Sequence, residues 1–506
     1  MTLLNLISLF AAIGIVFTFA TIYSNRHKSI LMTFLQHFCG VWFVFSGVVK
    51  AIDPIGTAIK MEQYFAEFSN TFEPTWLSSL STVFTALSKY GLGFSVFMII
   101  LEIMLGVNLI FGIKNRLTAW LFFVIMIFFT ILTGFTFLTA YVPQGVTFFQ
   151  FSKWGVYNAS NMRVTDCGCF GDFIKLIPRT SFFKDLFFMI PTLLFLFKTN
   201  KMHTIFSKGN SNLILFFGTL ACFLFSYRNY AMDEPIIDFR PFKAGVNIPE
   251  KKMQEEAAES KVEIIGAIFR NEKTNREEKV DFKSTEDFTK RYSEVIKQYP
   301  SDQGWKLTEQ IKTESTVPHS KISDFTVSTF DTGSEITDMI LENEKYALVI
   351  ISNKLKYDHI ETKNVVVKDS IFKNDTIVVK TSSGDSIQVV KTFDKVVEKT
   401  IEKVIHHWNK NFIDEFKTKI NSFVTEAKAA NVDLYMITAP NDPATIEEFS
   451  KAIDAKFNIF YADDIVLKTI MRSNPGVILM KKGTIIEKWH INKLPSFSTI
   501  KVNYIK

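Results

Sequence analysis

Apolar residues are arranged along this 506-residue chain in two different ways. Over residues 1–228 they come in long unbroken runs, and beyond 229 they come in short runs separated by charged and polar stretches. Crossing a hydrocarbon core takes about 20 consecutive apolar residues as a helix. Six runs reach or approach that length, at 3–23, 30–51, 92–112, 117–141, 182–198 and 212–228, so a bundle of six membrane-spanning helices is expected. Residues 76–90 place Trp76, Leu80, Val83, Phe84 and Leu87 at helical spacing and predict a helix lying along the outer membrane interface. The first run follows Met1-Thr2-Leu3-Leu4, which supplies no positive segment, so it reads as a span and not as a cleavable signal.

Loop charge sets the expected orientation. The short loops 24–29, 113–116 and 198–208 carry Arg26, Lys28, Lys114, Arg116, Lys198, Lys201 and Lys208 and fall on one side if all six spans form. The long loops 52–91 and 142–181 then lie on the other side, with the C-terminal half. In a bacterium that side is the periplasm, and the assignment hinges on the sixth span, whose loss would invert the C-terminal half.

In the second half, the pattern predicts a linker region with a small α+β unit over 229–320, with a strand at 261–270, a helix near 286–298 and a polar run at 250–260 that is a solvated linker or helix face. From 321 it predicts an α/β domain. The order is strand 324–330, helix 335–343, the continuous apolar strand 346–352, helix 408–431, strand 433–438, helix 444–456, a strand at 458–461, helix 463–472, strands 477–481 and 484–489, and helix 494–501. About 50 residues, 355–405, are inserted after the central strand and read as short alternating strands around Val365-Val366-Val367, Thr376–Val379 and Ser386–Val390.

Composition narrows the chemistry. A net charge of +6, not gathered in one block, offers no face for nucleic acid. Four cysteines are too few to staple a secreted scaffold. Glu102 and His37 fall inside spans, where an ionisable group is expensive and is a functional candidate by default. For Glu102 a carboxylate satisfied by a neighbouring helix is an equal alternative, and for His37 a satisfied core residue is the favoured one. Lys50 and Asp53 close the outer end of the second span, where snorkelling accounts for them. His406 and His407, adjacent near the start of a helix, would point to different faces and make a weak metal pair.

Cys39 and Cys222 lie within apolar runs and read as inert core residues. Cys167 and Cys169 stand apart, in Asp166-Cys167-Gly168-Cys169-Phe170-Gly171-Asp172 on the outer loop leading to the fifth span. Two thiols one residue apart close only a small, strained ring, which needs the backbone freedom of Gly168 and favours a labile, exchanging bond. The fifth helix, capped at Thr180 or Ser181, would favour thiolate through its N-terminal dipole, while Asp166 and Asp172 oppose it. A disulfide that only pins the loop is the alternative, and two thiolates without a nearby histidine make a poor zinc site.

At these residues the chain resembles known families. Phe45-Ser46-Gly47-Val48-Val49-Lys50-Ala51-Ile52-Asp53-Pro54-Ile55-Gly56, with Glu102 and Leu105-Gly106 on the next helix, is similar to the signature of the DoxX family. The Cys-Gly-Cys-Phe-Gly run between the last two helices of a four-helix core resembles the MauE proteins of methylamine utilisation. The likeness covers about 30–200 and implies a four-helix core of the kind compared with quinone-linked disulfide oxidoreductases, with Cys167 and Cys169 as its dithiol. The element order after 321 resembles a TlpA-like thioredoxin fold, in which Pro475 matches the proline held cis beside the active site. That family's Cys-x-x-Cys would fall at Ser352-Asn353-Lys354-Leu355, where no cysteine stands. The soluble domain is thus expected to bind a partner around Ser352, Asn353 and Pro475 rather than exchange electrons.

The expectation is an integral inner-membrane protein in which Cys167 and Cys169 exchange disulfides on the periplasmic side with an envelope protein client, a quinone serving as electron carrier, with Asp166, Asp172, Lys50, Asp53 and Glu102 in support. The competing expectation is a non-catalytic scaffold that presents a cysteine-free thioredoxin-like domain to envelope partners.

Overall fold

The computed structural model describes residues 3–505 except 165, 272, 275, 314, 382 and 383. The apolar half folds into α1 (Leu3–Tyr23), α2 (Ile30–Ile52), α3 (Pro54–Phe72), α4 (Ser78–Lys89), α5 (Gly91–Phe111), α6 (Asn115–Thr139), α7 (Pro178–Phe197) and α8 (Lys208–Tyr227). Among the described residues six helices, α1, α2, α5, α6, α7 and α8, are long and apolar enough to cross a membrane. They are not equivalent: α2 is largely buried and is the axis of the bundle, whereas α8 is mostly exposed and stands at its rim. Small residues let α2 and α5 approach closely, since a Cβ at Gly106 would sit 2.6 Å from the Gly40 carbonyl oxygen.

The loop 52–91 holds one more helix than the periodicity predicts. Asp53 caps α3 by accepting from Gly56 N at 2.9 Å, and Pro54 opens it without losing a needed donor. The buried face of α3, with Met61, Tyr64, Phe65 and Phe68, packs toward Phe135 and Phe84. Lys60, Glu62 and Glu67 on its other faces dilute the apolar signal. The expected interfacial helix is α4, packed on α3 through Ser69, Ser81 and Thr85. After α8 a π-helical turn over 228–232 places Asn229 Nδ2 3.0 Å from the Ala51 carbonyl oxygen at the end of α2. The end of α8 therefore lies beside the 52–91 loop, and the polar half leaves the bundle at that end.

That half begins with α9 (Ile248–Glu259), a helix with a largely solvated face that buries Glu255 against Ser320 and Ser323. A small antiparallel sheet follows, in the order β2-β1-β3, from β1 (Ile264–Asn271), β2 (Glu277–Asp281) and β3 (Trp305–Lys312), with α10 (Thr285–Gln298) on one face.

The larger unit comprises β4 (Ser328–Thr329), α11 (Thr337–Leu341), β5 (Tyr346–Ser352), β6 (Tyr357–Thr381), β7 (Gly384–Trp408), α12 (Lys410–Glu415) running through a π-helical turn into α13 (Asn421–Ala429), β8 (Asp433–Thr438), α14 (Pro443–Ala452), β9 (Asn458–Tyr461), α15 (Asp464–Ile470), β10 (Gly476–Lys481), β11 (Thr484–His490) and α16 (Phe497–Tyr504). Its sheet has the order β11-β10-β5-β8-β9-β4. β5, β8 and β9 run parallel, while β10, β11 and β4 join antiparallel. β5 is buried on both faces, as its continuous apolar run requires. One face of the sheet is covered by residues that include Phe242, Ile322, Phe325 and Leu467, and the other by Phe412, Phe416, Phe449 and Phe497.

Two expectations are corrected here. The 355–405 insertion is not a set of short strands: β6 and β7 are 25 residues each and pair only with one another, as a single hairpin about 80 Å long. Pairing continues across the expected breaks, with irregularities at Tyr357/His359 and Ile371/Phe372. His406 and His407 lie on β7, not on a helix, and they do face apart. His406 Nδ1 meets Glu448 at 3.0 Å, and His407 stacks on His359 at 4.0 Å.

Candidate dithiol site

The loop joining α6 to α7 is anchored by one aromatic residue. Phe170 is fully buried against Trp42 and Phe45, with ring centroids 5.7 and 6.1 Å away. On either side of this anchor the backbone turns through left-handed conformations, φ +62° at Gly168 and +52° at Gly171, which glycine adopts without Cβ strain. Asp166 fastens the turn by accepting from Gly168 N at 3.1 Å and pairing with Lys60 at 3.2 Å. Ser46 of α2 donates to the Cys169 carbonyl at 2.8 Å.

The outcome is that both thiols point inward, side by side. Cys167 Sγ and Cys169 Sγ are 2.8 Å apart and unbonded, and Cys167 Sγ is 3.0 Å from Ser181 Oγ. The expected cap at Thr180 or Ser181 is corrected: α7 begins at Pro178 behind Ile177, so Ser181 sits inside the first turn. Its hydroxyl is directed at sulfur because Pro178 already starts the helix. The hydrogen bond between the two thiols, with Ser181 and Lys184 assisting against burial, brings the Cys167 thiol down. The same bond, together with burial, pushes the Cys169 thiol up.

Behind the sulfurs lies a narrow cavity of the bundle, walled by rings that include Trp42, Phe129 and Phe188. Two ion pairs border it. Lys184 and Asp185 are neighbours on α7, and Thr133 Oγ1 lies 2.9 Å from Asp185 Oδ2. Lys50 reaches Glu102 at 2.7 Å, with its ammonium 4.9 Å from the Phe129 ring centre. Snorkelling does not account for Lys50: the residue is 6% exposed, and its partner is the carboxylate one helix away. A lone charge here would be far costlier than the pair. Asp53 likewise does more than close a span, since it caps α3 and binds Arg472. His37 is a satisfied core residue at Nε2, 2.9 Å from Thr21 Oγ1, with its ring against His203.

Asp172 lies outside the cavity, and its charge is answered by Arg472 at 3.3 Å and Lys175 at 3.8 Å. This contact brings the soluble half to the site. Arg472 precedes the Asn474–Pro475 bond, which is cis. Beside it Ser352 Oγ is 2.8 Å from Asn474 Oδ1, and Asn474 Nδ2 donates to the Lys354 carbonyl at 2.7 Å. Ser352 and Pro475 are buried and Asn353 is half-buried, and the turn reaches the bundle through Arg472. Glu234 completes the joint by accepting from Ser473 N at 2.9 Å and pairing with Arg240 at 2.8 Å.

Sequence reasoning named Ser181 only as a helix cap and did not single out Lys184, Asp185 or Arg472. Lys184 and Asp185 carried a usable signal, two charges inside an otherwise apolar span. Arg472 carried none. Among the described residues no group of three or more His, Cys, Asp or Glu side chains could hold a metal ion. Comparison with protein-family models, with curated proteins and with solved structures found no match to this chain.

Proposed function

We propose that this chain is a thiol–disulfide oxidoreductase of the bacterial inner membrane, working through Cys167 and Cys169 with its polar half in the periplasm. One observation carries the reading: two free thiols face each other at 2.8 Å, beside a narrow recess of the helical bundle. The resemblance to DoxX and MauE proteins supports it. The strand order around the buried β5 and the cis Pro475 support a thioredoxin-like reading of the C-terminal domain.

A quinone is the electron carrier that the resemblance implies, but the cavity, at about 40 Å³, is too small for its ring, and each neighbouring ammonium is already paired with a carboxylate. The chain's own part is to keep water from the sulfurs and to balance each buried ammonium with a carboxylate.

The test is a Cys167→Ser/Cys169→Ser double variant with thiol trapping on cells. The pair is expected to pass between oxidised and reduced forms in the parent and to be required for activity toward an envelope client. A pair locked oxidised under every condition would refute the reading.

The scaffold reading is favoured by a different observation, the β6–β7 hairpin, which forms a sheet of its own and exposes Ile360, Val366, Phe393, Val396 and Val404. Removing 363–403 while keeping its base would abolish partner capture and leave thiol cycling intact if the hairpin serves docking alone.

A further inference from the structure

We propose that the polar half works as a latch on the dithiol: through Arg472 it locks α3 and the loop 166–173 together over the sulfurs, and a protein disulfide reaches them when that latch opens. This role rests on the dithiol reading above, since a latch matters only if the sulfurs exchange.

The sulfurs are covered as they stand. Cys167 is 6% exposed and Cys169 is half-buried. Exchange requires one sulfur to approach another directly, so a folded partner needs this pair at a surface. Part of the cover is Lys60 of α3. Its stem crosses the turn between the two cysteines, where a Cβ on Gly168 would lie 2.9 Å from Lys60 Cγ, and its ammonium pairs with Asp166 at 3.2 Å. Lys60 also borders the cavity behind the sulfurs. The helix α3 therefore lies as a strap across the dithiol turn.

One side chain of the polar half ties both the strap and the loop. Arg472 holds Asp53, which caps the helix that carries Lys60, through Nε and Nη2. The same guanidinium meets Asp172, beyond the second cysteine, at 3.3 Å. A second contact acts on the loop: Phe173 packs between Phe45 of α2 and Phe239 of the linker, with ring centroids 5.6 and 5.1 Å away. The linker also steadies the turn that carries Arg472, because Glu234 accepts from Ser473 N at 2.9 Å.

The loop has the joints that such a movement needs. Gly168 and Gly171 turn at φ +62° and +52° on either side of the buried Phe170. When Arg472 lets go, the strap and the far end of the loop are free to part. Phe170 and the hydrogen bond from Ser46 to the Cys169 carbonyl keep the root of the loop in the bundle, so the opening is reversible.

Full-length protein in detergent, with Cys222→Ala and the dithiol reduced, is treated with N-ethylmaleimide and with a maleimide carrying a polyethylene glycol chain. Cys39, fully buried in α2, is kept as a reporter of the bundle and should stay unlabelled throughout. In the parent the bulky reagent should modify Cys167 and Cys169 at least tenfold more slowly than the small one. R472M should raise the bulky rate at least tenfold, since access to a covered group follows the free energy of local opening. R472K, which keeps the charge but loses the fork, and F239A, which removes only the aromatic contact, should each raise it by a smaller factor. Equal rates for the two reagents in the parent overturn the latch, and so does a bulky rate unchanged in all three variants. A rise found only where Cys39 is also labelled reports unfolding of the bundle and overturns it as well. Separately, diamide should close Cys167 and Cys169 of the parent into a disulfide that dithiothreitol reopens. A pair that does not close and reopen refutes the dithiol reading itself, whatever the maleimide rates.

Discussion

Arg472 and Asp53 stand 419 positions apart and meet as a bidentate ion pair, Nε and Nη2 lying 2.7 to 3.0 Å from the carboxylate oxygens. Burial raises the Asp53 carboxyl, but the Arg472 charge and hydrogen bonds outweigh it and hold the group below the usual carboxylate range. Arg472 also reaches Asp172, three residues beyond Cys169. One guanidinium thus joins the cap of α3, the dithiol loop and the turn before Pro475. Basic and acidic surfaces meet around it, since Lys468 and Lys354 face Glu62 of α3.

Removing that cation should loosen the joint. Arg472→Met leaves two carboxylates at a largely buried site without their partner, a change of about 3–5 kcal/mol for a buried pair. Limited proteolysis between residues 229 and 247 should accelerate in the variant. Pairing Arg472→Met with Asp53→Asn should recover much of the loss, and equal cleavage in all three proteins would show that the pair does not hold the two halves together.

The Lys50–Glu102 pair should behave in the same way inside the bundle. Lys50→Met alone should lower stability by about 3–5 kcal/mol, whereas Lys50→Met with Glu102→Gln should be close to the parent. Thermal unfolding in detergent measures both. A single variant as stable as the parent would mean that water reaches the site.

Acid should weaken the linker joint in a defined window. Asp238 is held down at about 2, because the Arg240 and Lys488 charges and hydrogen bonds outweigh the effect of burial. A carboxyl with a depressed folded-state pKa contributes stability above its unfolded value of about 3.9 and loses it as pH falls through the folded value. The contribution, about 2 kcal/mol, should therefore fade from about pH 4 down to about pH 2. Asp238→Asn should lose it at neutral pH and flatten that part of the stability profile. An unchanged acid limb in the variant would refute the assignment.

Gly168 should resist substitution chiefly because of its backbone. A Cβ there meets Lys60 Cγ at 2.9 Å, a flexible contact that can yield, but the φ of +62° persists. Gly168→Ala should cost about 1–2 kcal/mol and slow closure of the dithiol, and Gly168→Asn should be milder. The closure rate with dithiodipyridine separates the two. Identical rates for Gly, Ala and Asn would show that the turn relaxes.

Much of the architecture was legible because it follows from local pattern. Uninterrupted apolar runs must leave water, so α1, α2, α5, α6, α7 and α8 could be read directly. The all-apolar β5 could lie only in the middle of a sheet. Cys167 and Cys169 stood out because their spacing restricts what two sulfurs can do. The helix α3 was less legible, since its apolar face is interleaved with Lys60, Glu62 and Glu67.

What the sequence determined by itself was therefore the division into a membrane half and a polar half, the order of most elements, and the dithiol as the chemical candidate. Only the tertiary structure decided that Lys50 meets Glu102, that Ser181 and Lys184 adjoin the dithiol, and that Arg472 clasps Asp53 and Asp172. The physical reason is range. Hydrophobic periodicity is written in neighbouring residues, whereas a buried charge is tolerable only beside its counter-charge, and the chain brings those two together by folding.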